Sequence, residues 1–260
     1  MKAKYALLSA LICIVASSVN AQKTWDKPFQ KWSKEDAQKV LTGSPWMRTY
    51  QPSEGTAAID KEAEPDNVRI ARGSRTSDAK GQTKDIAVPT VTIRLHSSPV
   101  VRQAFLRLQQ IVSGYDKMDD AKKAEFDAAN KDLIDCVYCK NYYIVTMAKS
   151  ADSSRRSVEE ALFQTITPAQ MKGNVWLENE SGTRSELAQY IQPKSGGDMA
   201  IFFFPRRDKE GKELIAPTSK SFKFMFKGEF FNSTNPYSKM IPHSFEFEVD
   251  KIVKDNSLLF

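Results

Sequence analysis

The chain has 260 residues, 41% of them hydrophobic, and a formal charge of +6 at pH 7. That hydrophobic share supplies a packed core and excludes global disorder. The charge excess is too small to imply a nucleic acid or an anionic membrane as partner.

The first 21 residues have the layout of a secretory signal peptide. Lys2 and Lys4 give a basic start, Tyr5 to Ala16 is almost continuously apolar, and Val19-Asn20-Ala21 places small residues for cleavage before Gln22. The apolar run is short for a bilayer, which needs about 20 such residues. Cys13 lies inside it, but Ala10-Leu11-Ile12 lacks the small residue that a lipoprotein signal sets beside its cysteine. Cleavage near Ala21 removes two positive charges, leaving +4, and leaves Cys136 and Cys139 as the cysteines of the mature chain. An even pair in an exported protein favours a disulfide. No later segment is long and apolar enough to span a membrane, and the expected address is periplasmic or secreted.

Residues 22–50 read as an aromatic helical arm. Trp25, Phe29 and Trp32 stand among charges, Ser33 is a natural N-cap with Asp36 three residues on, and Ala37, Val40 and Leu41 recur at helical spacing. Gly43-Ser44-Pro45 stops the helix before Trp46. The rings of Trp25, Trp32 and Trp46 either dock on the main body or form an exposed patch for a partner. Residues 51–86 are polar, with only Ile59, Val68 and Ile70 as interruptions, and read as a flexible linker or long loop.

Residues 87–260 read as one α+β domain. Val91, Ile93 and Leu95 alternate with Thr92, Arg94 and His96, the pattern of a half-buried strand. Ser98-Pro99 opens a helix whose apolar stripe is Val101, Phe105, Leu108 and Val112, ended by Gly114. A second helix starts near Asp119 and Asp120, with a stripe of Met118, Phe126, Ala129 and Leu133. This helical hairpin returns the chain for a central strand over 141–148, antiparallel to the first. A short helix is expected from Val158 to Phe163, a helical turn at Thr167-Pro168, a strand at Val175 and Leu177, and a short helix from Glu186 to Ile191. Ile201-Phe202-Phe203-Phe204 reads as a buried strand. Phe222, Phe224 and Phe226 alternate with Lys223, Met225 and Lys227, and Phe245, Phe247 and Val249 with carboxylates, so the last two strands would be complementary as a pair. The expected fold is α+β: a mainly antiparallel sheet, an inserted helical hairpin and a short N-terminal helical arm.

Cys136-Val137-Tyr138-Cys139 is the strongest local chemical signal. A thioredoxin-type site places CxxC after a strand and at a helix start; here it follows a helix and precedes a strand. A zinc site needs two further ligands, for which the chain offers His96 and His243. Lys140 stands where a c-type haem site has histidine. The default is a local disulfide. There is no G-x-S-x-G elbow and no H-E-x-x-H pair. Gly73, Gly81 and Gly114 form no phosphate loop, and adjacent Glu159 and Glu160 point apart on a helix. Arg155-Arg156 and Arg206-Arg207 with Lys209 are basic clusters, the second able to present arginines from a strand end to a partner. The terminal Phe260 is expected to pack into the core, since the helical segments argue against an outer-membrane barrel. Asn179-Glu180-Ser181 and Asn232-Ser233-Thr234 match the glycosylation pattern.

Trp32-Ser33-Lys34-Glu35-Asp36-Ala37 through Val40-Leu41 to Ser44-Pro45-Trp46 is similar to the opening of uncharacterised exported bacterial proteins, in which a W-S-x-E-x-A…L…S-P-W string follows a signal peptide. The resemblance covers about 15 residues and implies a bacterial envelope or secreted setting, with no activity attached. The sequence therefore points to an exported, non-enzymatic module with no cofactor, binding an unknown protein or envelope component. Its rival is a thiol-redox or zinc-dependent protein centred on the CxxC pair.

Overall fold

The computed structural model describes residues 24–50, 76–77, 83–84, 91–148, 166–194, 199–227, 243–254 and 257–260. The leader, most of the expected linker, the helix expected at Val158 to Phe163, Arg155-Arg156, Glu159-Glu160 and Asn232-Ser233-Thr234 lie outside the described residues.

Helix α1 (Lys34–Gly43) begins where Ser33 and Asp36 cap each other, the Ser33 hydroxyl accepting from the Asp36 N–H and the Asp36 carboxylate accepting from the Ser33 N–H. Ala37, Val40 and Leu41 are its buried side chains. Strand β1 (Met47–Tyr50) follows directly. Within 51–86, β2 (Thr76–Ser77) and β3 (Thr83–Lys84) pair with each other. Strand β4 (Val91–Leu95) leads through a turn at His96 into α2 (Pro99–Ser113), which starts on proline and ends at Gly114 with φ 73°, a left-handed conformation glycine adopts without strain.

The second helix of the hairpin is split into α3 (Asp120–Ala129) and α4 (Lys131–Asp135). The break falls at Asn130, whose backbone N–H and side-chain amide both donate to the Phe126 carbonyl. Asparagine competes in this way with the helical ladder, a local effect that periodicity does not register. Strand β5 (Tyr142–Ala148) then pairs antiparallel with β4, Leu95 opposite Val145.

Helix α5 (Pro168–Met171) is capped by Thr167 and Gln170. It precedes β6 (Val175–Asn179), β7 (Arg184–Glu186), β8 (Gln189–Ile191), β9 (Ala200–Pro205), β10 (Ser221–Phe226), β11 (Ser244–Glu248), β12 (Val253–Lys254) and β13 (Ser257–Leu258). Residues 186–191, expected as a helix, instead pass from one sheet to another: β7 pairs with β6 and β8 with β9, while Leu187 between them is buried. Ladder bonds to two sheets outweigh the local helical pattern there.

One sheet runs β1-β4-β5-β9-β8 and a second β11-β10-β6-β7, with every named pair antiparallel. Phenylalanines join the sheets face to face. Phe202 lies 5.3 Å from Phe224, and Phe204 lies 5.8 Å from Phe224, in edge-on geometry. The complementary pair is present: Phe222 faces Phe247, Phe224 faces Phe245, and Lys223 sits opposite Glu246. Helices α1 and α2 pack together, and Arg94 ties α1 to the sheet by donating from Nε to the Leu41 carbonyl at 2.8 Å. No helix among the described residues is long and apolar enough to cross a membrane.

Candidate functional site

The tryptophans are internal. Trp32 and Trp46 belong to the core at 1% and 0% exposure, and half-buried Trp25 meets Trp46 edge-on at 5.1 Å. Trp32 also donates from its indole N–H to the Lys27 carbonyl. With both faces covered, Trp32 and Trp46 have no ring surface to offer a partner. The reason is local: α1 is too short to bury its stripe alone, and the flanking indoles complete the apolar layer between it and α2.

Arg206 is likewise committed inward. Its Nε donates to the Cys139 carbonyl, its Nη2 to the Phe260 carbonyl, and its guanidinium stacks 4.4 Å from the Tyr143 ring centroid. Arg207 is exposed and pairs with Glu213 at 3.0 Å. Phe260 packs into the core, stacked on Phe222 at 5.2 Å. His243 is exposed at the start of β11. Among the described residues, no group of three or more His, Cys, Asp or Glu side chains is placed to hold a metal ion.

Cys136 and Cys139 form a disulfide with their Cα atoms 5.4 Å apart. Cys136 is buried and terminates α4 in the left-handed region at φ 41°. A helix C-terminus carries partial negative charge and disfavours a thiolate, the reverse of the helix-start setting that activates CxxC thiols. The cysteines pack with Ile144 and Phe203 on the sheet, and between them the chain turns outward. Val137 and Tyr138 are 65% and 64% exposed, and Ile134 beside them 45%. Three of the five exposed large hydrophobic residues among the described ones thus fall within five positions.

A second locus lies where β4 turns into α2. Among the described residues, four of the seven buried side-chain polar atoms that lack a hydrogen-bond partner belong to residues 96–102: His96 Nδ1, Ser98 Oγ, and Arg102 Nε and Nη1. Native interiors satisfy nearly all such atoms, so a cluster of exceptions marks a site. Burial pushes the His96 imidazole down to about 4, with Arg102 and Arg94 adding repulsion. Burial alone lowers the Arg102 guanidinium.

Arg102 also lines a cavity of about 360 Å³ between α2, the turn at Phe29–Lys31 and helices α3 and α4. Its apolar walls include Phe29, Leu106 and Ile134; its polar lining includes Gln103 and Gln110. On the far side Arg107 donates to the Trp32 carbonyl and to both oxygens of Asp116. That hydrogen bonding holds the Asp116 carboxyl below its usual range. Tyr115 donates to Asp127 at 2.9 Å.

The apolar stripe legible in the sequence, Val101, Phe105, Leu108 and Val112, leaves out Arg102 and Arg107, which lie on the polar face of α2. Arg102, Leu106 and Gln110 recur at spacing four on that face, and all three are buried. Leu106, an apolar residue amid polar ones, was the signal that something covers it. No known protein family, curated protein or solved structure matches the chain.

Proposed function

We propose that the protein is an exported, non-enzymatic binding module that meets a protein or cell-envelope partner through its disulfide loop. The observation that carries the reading is the apolar tip of Val137, Tyr138 and Ile134, held outward between a disulfide and the end of α4. Small chains rarely spend exposed apolar surface in one place without a contact to make, and a stapled loop loses little entropy on binding. The leader at residues 1–21 supports export to the periplasm or beyond, where a disulfide persists. The partner-binding reading moves from Trp32 and Trp46, which are buried, and half-buried Trp25 to this loop.

Partner capture from envelope extract by the wild-type chain, set beside the double variant Val137→Ser, Tyr138→Ser, tests the reading. Capture falls at least about tenfold while unfolding stability stays within about 0.5 kcal/mol, as for surface substitutions generally. Unchanged capture by a folded double variant refutes the loop as the contact.

A further inference from the structure

We propose that the cavity beside α2 is a binding site for a small monoanionic carboxylate with an apolar body, its head paired with Arg102. This site shares the Ile134 wall with the apolar tip beside the disulfide but does not depend on that reading. Arg102 is 8% exposed, and among the described residues neither Nε nor Nη1 has a hydrogen-bond partner. A buried guanidinium without an acceptor costs several kcal/mol in general, a cost that an incoming anion removes.

Among the described residues, no carboxylate pairs with Nε or Nη1 of Arg102. Asp116 is engaged by Arg107, and Asp127 by the Tyr115 hydroxyl. Those two acids line the same cavity and select against a dianion such as a phosphate ester, whose second charge they would repel. Apart from Arg107, whose charge Asp116 meets, the rest of the lining is apolar or neutral: Phe29, Pro99 and Leu106 form walls for a hydrocarbon body, and Gln103 offers an amide. The volume, about 360 Å³, lies in the range of small-ligand pockets. A mainly apolar cavity with one unspent buried charge is the composition that such ligands require.

Octanoate is the probe and 1-octanol its uncharged control, each titrated calorimetrically into the exported chain. Octanoate binds saturably and octanol at least about tenfold more weakly. Arg102→Met abolishes the difference between the two, and Arg102→Lys restores part of it. Gln103→Trp, a change at a half-buried wall position, blocks octanoate with Arg102 intact. That variant serves as the test should Arg102→Met fail to fold. Absence of saturable octanoate binding overturns the proposal. So does equal affinity for octanol, or octanoate affinity unchanged in Arg102→Met or in Gln103→Trp.

Discussion

Arg102 and Arg107 lie five residues apart on α2 and are equally buried, at 8% exposure each, yet their nitrogens meet opposite fates. Arg107 spends its donors on the Trp32 carbonyl, the Gln110 amide oxygen and both oxygens of Asp116. It therefore joins α2 to the N-terminal aromatic segment and to the turn after the helix. Arg102 leaves Nε and Nη1 unpaired and has His96, another basic group, as its electrostatic neighbour. Burial alone does not tell a strut from a site; the inventory of partners does.

The largest effect should come from the paired arginine. Arg107→Ala strands the buried Trp32 carbonyl and removes the clamp on Asp116. A loss of about 3 kcal/mol is expected in urea unfolding. A loss below about 1 kcal/mol, the level of an exposed ion pair, would show that Arg107 is no strut and would erase the contrast.

The next effect reads the electrostatics around Arg102. His96 is neutral when folded because burial, then Arg102 and Arg94, push its imidazole down to about 4. A basic group lowered by folding binds its proton more readily in the unfolded chain. Its contribution is therefore constant above about pH 6.5 and is lost as pH falls towards 4, by at most about 2 kcal/mol at pH 5. The difference in stability between wild type and His96→Gln, followed from pH 7.5 to pH 5, isolates this. A difference that stays flat over that interval would mean that His96 is solvated and Arg102 lies in a wetter place than its contacts indicate. In Arg102→Met the same pH slope becomes shallower.

How far the chain disclosed these features depends on the kind of pattern each leaves. Strands β10 and β11 were legible because Phe222, Phe224, Phe245 and Phe247 alternate with charges of opposite sign, and both periodicity and charge name the same pairing. The disulfide was legible from the spacing of Cys136 and Cys139 and their even number after the expected leader. Residues 186–191 were not, since their strand conformation comes from two partners far along the chain and not from local preference. Val112 completes the apolar stripe of α2 on a helical wheel and yet is 84% exposed, while Leu106, Arg107 and Gln110 off that stripe are buried. The cavity was illegible for a related reason. Periodicity separates a polar face from an apolar one but says nothing about a third element, here Phe29–Lys31 and α4, closing over the polar side.

The smallest expected effect has the most informative sign. Replacing Arg102 with methionine keeps much of the side-chain volume and removes a buried charge that nothing within the described chain neutralises. Substitutions of this kind are commonly neutral or stabilising, so Arg102→Met should gain about 1 kcal/mol in the free protein. The balance reverses with ligand present. At a tenfold excess of octanoate over its dissociation constant, wild type gains about 1.4 kcal/mol by linkage while the variant gains nothing, and the two unfolding curves exchange order. A variant destabilised by more than about 1 kcal/mol without ligand would show that Arg102 makes a net favourable contact within the fold. It would then be a second Arg107, and stability surrendered at that position would no longer need a ligand to explain it.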